Sequence, residues 1–223
     1  MNKQELINMI DYTLLKPVAT KDDIKAFCNE TIEHGFKAVF VNPYYVEYAH
    51  SILSPHRIKV GVPIGFSLGG ATTHTKVEET KEAIKNGAEE IDMLINLGAL
   101  KSKEFNVVRN DIVEVVRASE GLTTKVIIET ALLTKEEKIT ASELIVEAGA
   151  NFVKTSTGFN GGGATVEDVQ LIRSVVGEDF GVKAAGGVRT YEDAANIVEA
   201  GANRIGTSGA LAIISGNTST ASY

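Results

Sequence analysis

The chain has 223 residues, 43% of them hydrophobic and 23% charged, which supplies material for a full core and falls in the size range of one α/β barrel. A formal charge of -7 and a pI near 5.2 exclude the electrostatic footprint of a protein that binds nucleic acid or an anionic membrane. Cys28 is the single cysteine, no apolar leader opens the chain and no apolar run nears the roughly 20 residues of a membrane span. The expectation is therefore one cytoplasmic domain over residues 1–223, without an intrachain disulfide.

In chain order, a short strand at 12–14 precedes a helical pattern at 22–33 and strands at 38–41 and 58–64. A helix at 75–86 leads to a strand at 90–95, a helix at 106–119 to a strand at 126–129, and a helix at 135–148 to a strand at 152–155. A helix at 165–176, a strand at 181–184, a helix at 191–200 and a strand at 204–206 complete the series. Strand and helix alternate without a linker, which predicts a parallel sheet, and eight strands predict a single-domain (β/α)8 TIM barrel. Thr134 with Glu137 and Thr165 with Asp168 have capping-box spacing. Residues 214–223 are polar enough to read as a flexible tail.

Residues 86–92, 148–154 and 200–206 align without gaps as an Asn/Ala-Gly-Ala repeat, with 34–40 as a weaker copy. Each glycine suits the left-handed end of a helix. Side chains alternate across a strand, so the branched residue at glycine plus four (Val39, Ile91, Val153, Ile205) faces the helices and glycine plus five faces the barrel interior. That phase sends Asp92, Lys154 and Gly206 inward, towards the strand ends where barrel enzymes place their sites. Lys183, after Val182, points inward on the same reasoning.

A lone lysine at a strand end ordinarily snorkels to solvent. Two lysines aimed into one cavity are different, because burial and a neighbouring cation both disfavour the charged form and can hold one amine neutral and nucleophilic near pH 7. Asp92 adds a carboxylate. The bland alternative is an inert ion-pair cluster. Residues 186–189 and 206–209 are glycine-rich segments after the seventh and eighth strands, where barrels commonly bind phosphate; either one alone is equally a turn. Residues 158–163 supply further amides or only a flexible turn. His34, His50, His56 and His74 have no metal-ligand spacing, so no metal and no cofactor is expected. Glu129 either bonds the lysine cluster or simply balances charge, and Asp11 and Thr13 flank the short first strand.

These residues carry a resemblance. Glu90-Ile91-Asp92, the run from Lys125 to Thr130, Phe152-Val153-Lys154-Thr155-Ser156-Thr157-Gly158 and the run from Val182 to Arg189 resemble the deoxyribose-phosphate aldolases, class I aldolases of the DeoC family, from Asp11 to the C-terminus. The resemblance implies a TIM barrel that reversibly cleaves 2-deoxy-D-ribose 5-phosphate to D-glyceraldehyde 3-phosphate and acetaldehyde. It makes Lys154 the Schiff-base lysine, Lys183 the lysine that tunes it and Asp92 the proton-relay partner. It gives substrate contacts to Asp11, Thr13, Thr155, Thr157, Gly158, Gly186, Gly187, Val188, Arg189, Gly206 and Ser208, and implies a homodimer or homotetramer. The C-terminal Tyr223 matches a tyrosine that assists proton exchange. Ser67 stands where many relatives have proline, and Phe159 where some have a phosphate-contacting lysine. The rival readings are a phosphosugar isomerase, which would work without a covalent adduct, and a non-catalytic sugar-phosphate-binding barrel.

Overall fold

Gly35, Gly87, Gly149 and Gly201 all take positive φ, from 70° to 115°, and each lies at or just past a helix end. The computed structural model describes residues 1–221. The strands that follow these glycines are part of one closed, all-parallel barrel in sequence order: β1 (Ile10–Leu14), β2 (Ala38–Val41), β3 (Lys59–Ile64), β4 (Glu90–Leu94), β5 (Thr123–Ile127), β6 (Phe152–Lys154), β7 (Gly181–Ala185) and β8 (Arg204–Thr207), with β8 paired to β1.

Around them run α1 (Lys3–Ile7), α2 (Lys21–His34), α3 (Val46–Leu53), α4 (Thr73–Lys85), α5 (Leu97–Lys101), α6 (Phe105–Ala118), α7 (Lys135–Glu147), α8 (Val166–Val176), α9 (Tyr191–Glu199) and α10 (Ala210–Ile214). Val39, Ile91, Val153 and Ile205 are fully buried in the apolar layer between strands and helices, as their phase predicts. Each such side chain contributes about 1.5–3 kcal/mol on leaving water. That outer layer carries the fold, so the barrel interior is free to hold charge.

The structure corrects the sequence expectations in several places. The fifth strand begins at Thr123 and ends at Ile127, so Lys125 lies on it and Glu129 lies beyond it. Helices α1, α3, α5 and α10 add to the six expected. The Thr134 capping box is complete, whereas at Thr165 only the bond from Asp168 N forms, because the Asp168 carboxylate takes Lys138 at 2.5 Å instead. Within the tail, Ser219 is 5% exposed and its N–H donates to the Arg189 carbonyl at 2.8 Å.

Among the described residues, no helix is long and apolar enough to cross a membrane.

Candidate active site

Every strand places something in the charged centre of the barrel. Asp11 comes from β1, the Phe40 ring from β2, and from β3 only Gly61, whose missing side chain makes room: a Cβ there would lie 2.3 Å from the Phe40 ring. β4 contributes Glu90 and Asp92, and β5 to β8 contribute Lys125, Lys154, Lys183 and Arg204 in turn. Asp92 is the hub. Its Oδ2 accepts from Lys154 Nζ at 2.9 Å and Lys183 Nζ at 2.7 Å, and its Oδ1 accepts from Lys125 Nζ at 2.9 Å.

Further ion pairs lie beside this hub. Lys183 Nζ is 2.6 Å from Asp11 Oδ2, a contact whose direction is off a hydrogen bond. Arg204 donates to Asp11 Oδ1 and, at 3.1 Å, to Glu90 Oε2, which also accepts from Lys125 at 2.6 Å. The Phe40 ring centroid is 3.6 Å from Lys183 Nζ and 4.7 Å from Lys125 Nζ, a geometry in which the ring face attracts cations.

Four cations thus face three carboxylates in an almost fully buried space, and one proton is in surplus. Buried charge is tolerated only when paired, so the cheapest adjustment is for one lysine to lose its proton. The individual groups agree. Burial opposes ionisation of Asp92, yet Lys125, Lys154 and Lys183 hold its carboxyl well below the usual carboxylate range. Burial likewise opposes Asp11, and Lys183 and Arg204 override it. Lys125 stays charged, because Asp92 and Glu90 outweigh its burial. Lys183 is the exception: burial pushes its amine down to about 8 against the pull of Asp11 and Asp92, helped by Lys154 and Lys125.

The sequence-predicted residues fall into three groups. Asp92, Lys154, Lys183 and Asp11 converge. Lys154 is 5% exposed and Lys183 0%, so Lys154 is the member nearer the opening. Gly158, Gly186, Gly187, Val188, Arg189, Gly206 and Ser208 also converge, around a cavity of about 330 Å³. Gly206 joins the two places, since a Cβ on it would lie 3.1 Å from Lys183 Cε. Gly162 lines the same cavity, and Gly163 packs so closely on the next turn that a Cβ would sit 2.6 Å from the Gly186 carbonyl.

Thr13, Thr155 and Thr157 form the third group, with hydroxyls engaged inside the protein. Thr13 donates to the Asp11 carbonyl at 3.0 Å, and Thr155 exchanges hydrogen bonds with the Ala185 backbone at 3.1 and 3.3 Å. Thr157 donates to Glu129, which also takes Asn160 Nδ2 at 2.8 Å, while the same Nδ2 donates to the Ser67 carbonyl at 2.7 Å. Glu129 therefore ties three loops at the mouth rather than bonding the lysines. Tyr223 lies outside the described residues; Ala221 reaches the cavity wall. Among the described residues, no group of His, Cys, Asp or Glu has the arrangement of a metal site. A wider groove of about 1310 Å³ between the β3–α4 loop and α4 contains none of the cluster.

Sequence reasoning passed over Phe40, Glu90, Lys125 and Arg204. Three were marked: Phe40 stands at glycine plus five, and Glu90 and Arg204 at glycine plus three, the next inward position down the same strands. Lys125 carries no such mark.

The chain matches the model of the family described as "DeoC/LacD family aldolase" over residues 6–216. It is 63% identical to deoxyribose-phosphate aldolase 2 of Oceanobacillus iheyensis over the full length of both chains. It is 57% identical to the deoxyribose-phosphate aldolase of Thermococcus kodakarensis over 97% of this chain and 98% of that one. The deoxyribose phosphate aldolase of Aeropyrum pernix, described as a unique tetramer, superposes with a TM-score of 0.90 at 31% identity, covering 96% of this chain and 91% of that one. With two lysines meeting on one carboxylate beside a glycine-walled cavity, and with this likeness across almost its whole length, the chain belongs to the DeoC/LacD aldolase family.

Proposed function

We propose that this aldolase reversibly cleaves 2-deoxy-D-ribose 5-phosphate to D-glyceraldehyde 3-phosphate and acetaldehyde through a Schiff base on Lys154. The observation that carries the reading is the pair of lysines sharing Asp92 Oδ2, with the more accessible of the two at the opening. The relatives' names supply the substrate. The phosphate goes to the cavity walled by Gly186, Gly187, Arg189, Gly206 and Ser208.

In the cleavage direction Lys154 passes a proton across Asp92 to the Lys183 amine and adds to the substrate aldehyde carbon, and the carbinolamine loses its hydroxyl as water to give a protonated imine. The imine withdraws electrons as the bond between the second and third carbons breaks and the third carbon's hydroxyl gives up its proton. Glyceraldehyde 3-phosphate leaves. The remaining enamine gains a proton at its terminal carbon, and water then releases acetaldehyde and the free amine. Lys183, with an amine near 8, is suited to both give and take a proton at neutral pH. Asp92, held ionised, connects it to Lys154. The chain works as a homo-oligomer in the cytoplasm.

Borohydride reduction in the presence of acetaldehyde, with peptide mapping, tests the reading: one ethyl group on Lys154 is expected. Label on Lys183 reverses the two roles. Absence of label on either lysine overturns the Schiff-base reading, and phosphosugar interconversion without cleavage would then support an isomerase that works by enolisation.

A further inference from the structure

Arg204 touches neither Lys154 nor the cavity wall, yet it sits inside the charged centre, 7% exposed. Its guanidinium is forked between Asp11 on β1 and Glu90 on β4. Those carboxylates are the ones on which Lys183 and Lys125 also draw.

We propose that Arg204 is a positioning residue that keeps one lysine proton in surplus. By occupying Asp11 and Glu90 it leaves Asp92 as the one interior carboxylate not shared with the guanidinium, and so sets the pH range in which a neutral amine is available. Asp11 from β1, Asp92 from β4 and the Phe40 ring from β2 touch Lys183, with Lys125 from β5 and Lys154 from β6 beside it; Glu90 from β4 and Arg204 from β8 are linked to it through Lys125 and Asp11, and β3 brings only Gly61.

The direction follows from the count of charges. With Arg204 neutralised, three lysines meet three carboxylates and all three keep their protons, so a free amine appears only at higher pH. With Glu90 neutralised, four cations meet two carboxylates and the proton leaves at lower pH. With both neutralised, three cations meet two carboxylates and the surplus of one returns. An arginine acting only as a packing element has no reason to shift a titration in either direction, still less in the direction opposite to a glutamate that touches it.

The test is a titration of the lysine side chains by NMR in protein labelled at the lysine ε-carbon, with the Lys183 resonance assigned by its loss in Lys183→Met. Arg204→Gln is expected to raise the Lys183 midpoint by at least about one pH unit, and Glu90→Gln to lower it by a similar amount, as expected when one charge is removed from a linked cluster in a partly screened interior. The double variant is expected to return to within about half a pH unit of the parent. Arg204→Lys, which keeps the charge without the fork, is expected to leave the midpoint within the same margin and so covers the case in which Arg204→Gln does not fold. Midpoints of Arg204→Gln and Glu90→Gln that move together, or a folded single variant that loses turnover with its midpoint unmoved, overturn the proposal.

This inference rests on the Schiff-base reading for its catalytic meaning but not for its measurement. The pH dependence of acetaldehyde trapping at Lys154 is expected to follow the NMR midpoints. Failure of the parent protein to trap at Lys154 overturns the Schiff-base reading alone, because the NMR titration does not depend on it.

Discussion

Replacing Lys183 with methionine should make the protein's stability less dependent on pH, in a direction the buried cluster fixes. In the fold the Lys183 amine ionises near 8 because it is buried beside Lys154 and Lys125; in the unfolded chain it returns to the ordinary 10.5. Between those values the unfolded chain binds the proton and the folded chain does not, so stability rises with pH across the window. Below pH 8 both states hold the proton and the full cost of burying it is present. At about 1.4 kcal/mol for each pH unit, that cost is on the order of 3 kcal/mol. Lys183→Met removes the ionisable group. The assay is urea unfolding of both proteins at pH 7, 8.5 and 10, read as the difference between them, so that Cys28 and Tyr12, whose own ionisation is pushed up by burial, cancel. The variant is expected to lose ground to the parent by most of that amount between pH 7 and 10. A difference that stays constant over this range, or that grows in the variant's favour, refutes the reasoning.

Gly206→Ala puts a Cβ 3.1 Å from Lys183 Cε and 3.2 Å from the Ala185 Cβ, so the Lys183 side chain must give by a few tenths of an ångström, which disturbs its bond to Asp92. Turnover is expected to fall at least about tenfold for a stability cost of about 1–3 kcal/mol, checked by steady-state kinetics and urea unfolding. Gly163→Ala collides with the Gly186 carbonyl at 2.6 Å and with Gly187 N at 2.8 Å, which displaces the turn proposed to hold the phosphate. KM for the phosphorylated substrate should rise while turnover of unphosphorylated deoxyribose is little changed, and equal losses on both substrates count against a phosphate role for that turn. Removal of Tyr223 should leave imine trapping at Lys154 intact but slow both turnover and exchange of the acetaldehyde methyl protons with deuterated water, measured by NMR; exchange at the parent rate makes Tyr223 only a tail residue.

The outer half of the barrel was legible because its rule is local. A glycine lies at or just past the ends of α2, α4, α7 and α9, the next strand starts three residues later, and alternation assigns the faces, which is enough to send Val39, Ile91, Val153 and Ile205 outward and Asp92 and Lys154 inward. Helix α3 was passed over although Val46, Ala49 and Leu53 have helical spacing, and α1 although Asn2 and Glu5 form a capping box. Lys125 was lost for a more specific reason. Gly121 precedes β5 but lies four residues before Lys125, so an inward side chain falls on the position that the repeat assigns outward. A strand started at Val126 begins three residues too late, and its lysine becomes a flank.

What local rules do not reach is the pairing of charge across the barrel. Lys154 and Asp92 are 62 positions apart in sequence, Lys183 and Asp92 are 91, and Arg204 and Asp11 are 193, so no short window of sequence contains a lysine of this cluster together with its counter-charge. Read by itself, each inward charge is a liability, and the two lysines signal function only because two unexplained buried cations are harder to dismiss than one. Once the strands close, the liability is almost cancelled, by three carboxylates against four cations. In the proposed mechanism the uncancelled remainder is what makes the site reactive: a cluster balanced one for one would be a structural ion-pair network, whereas a surplus of one proton gives a lysine that can surrender it near pH 8. The same alternation that places single residues inward therefore reveals where chemistry can occur, while the balance that decides which chemistry belongs to the closed barrel as a whole.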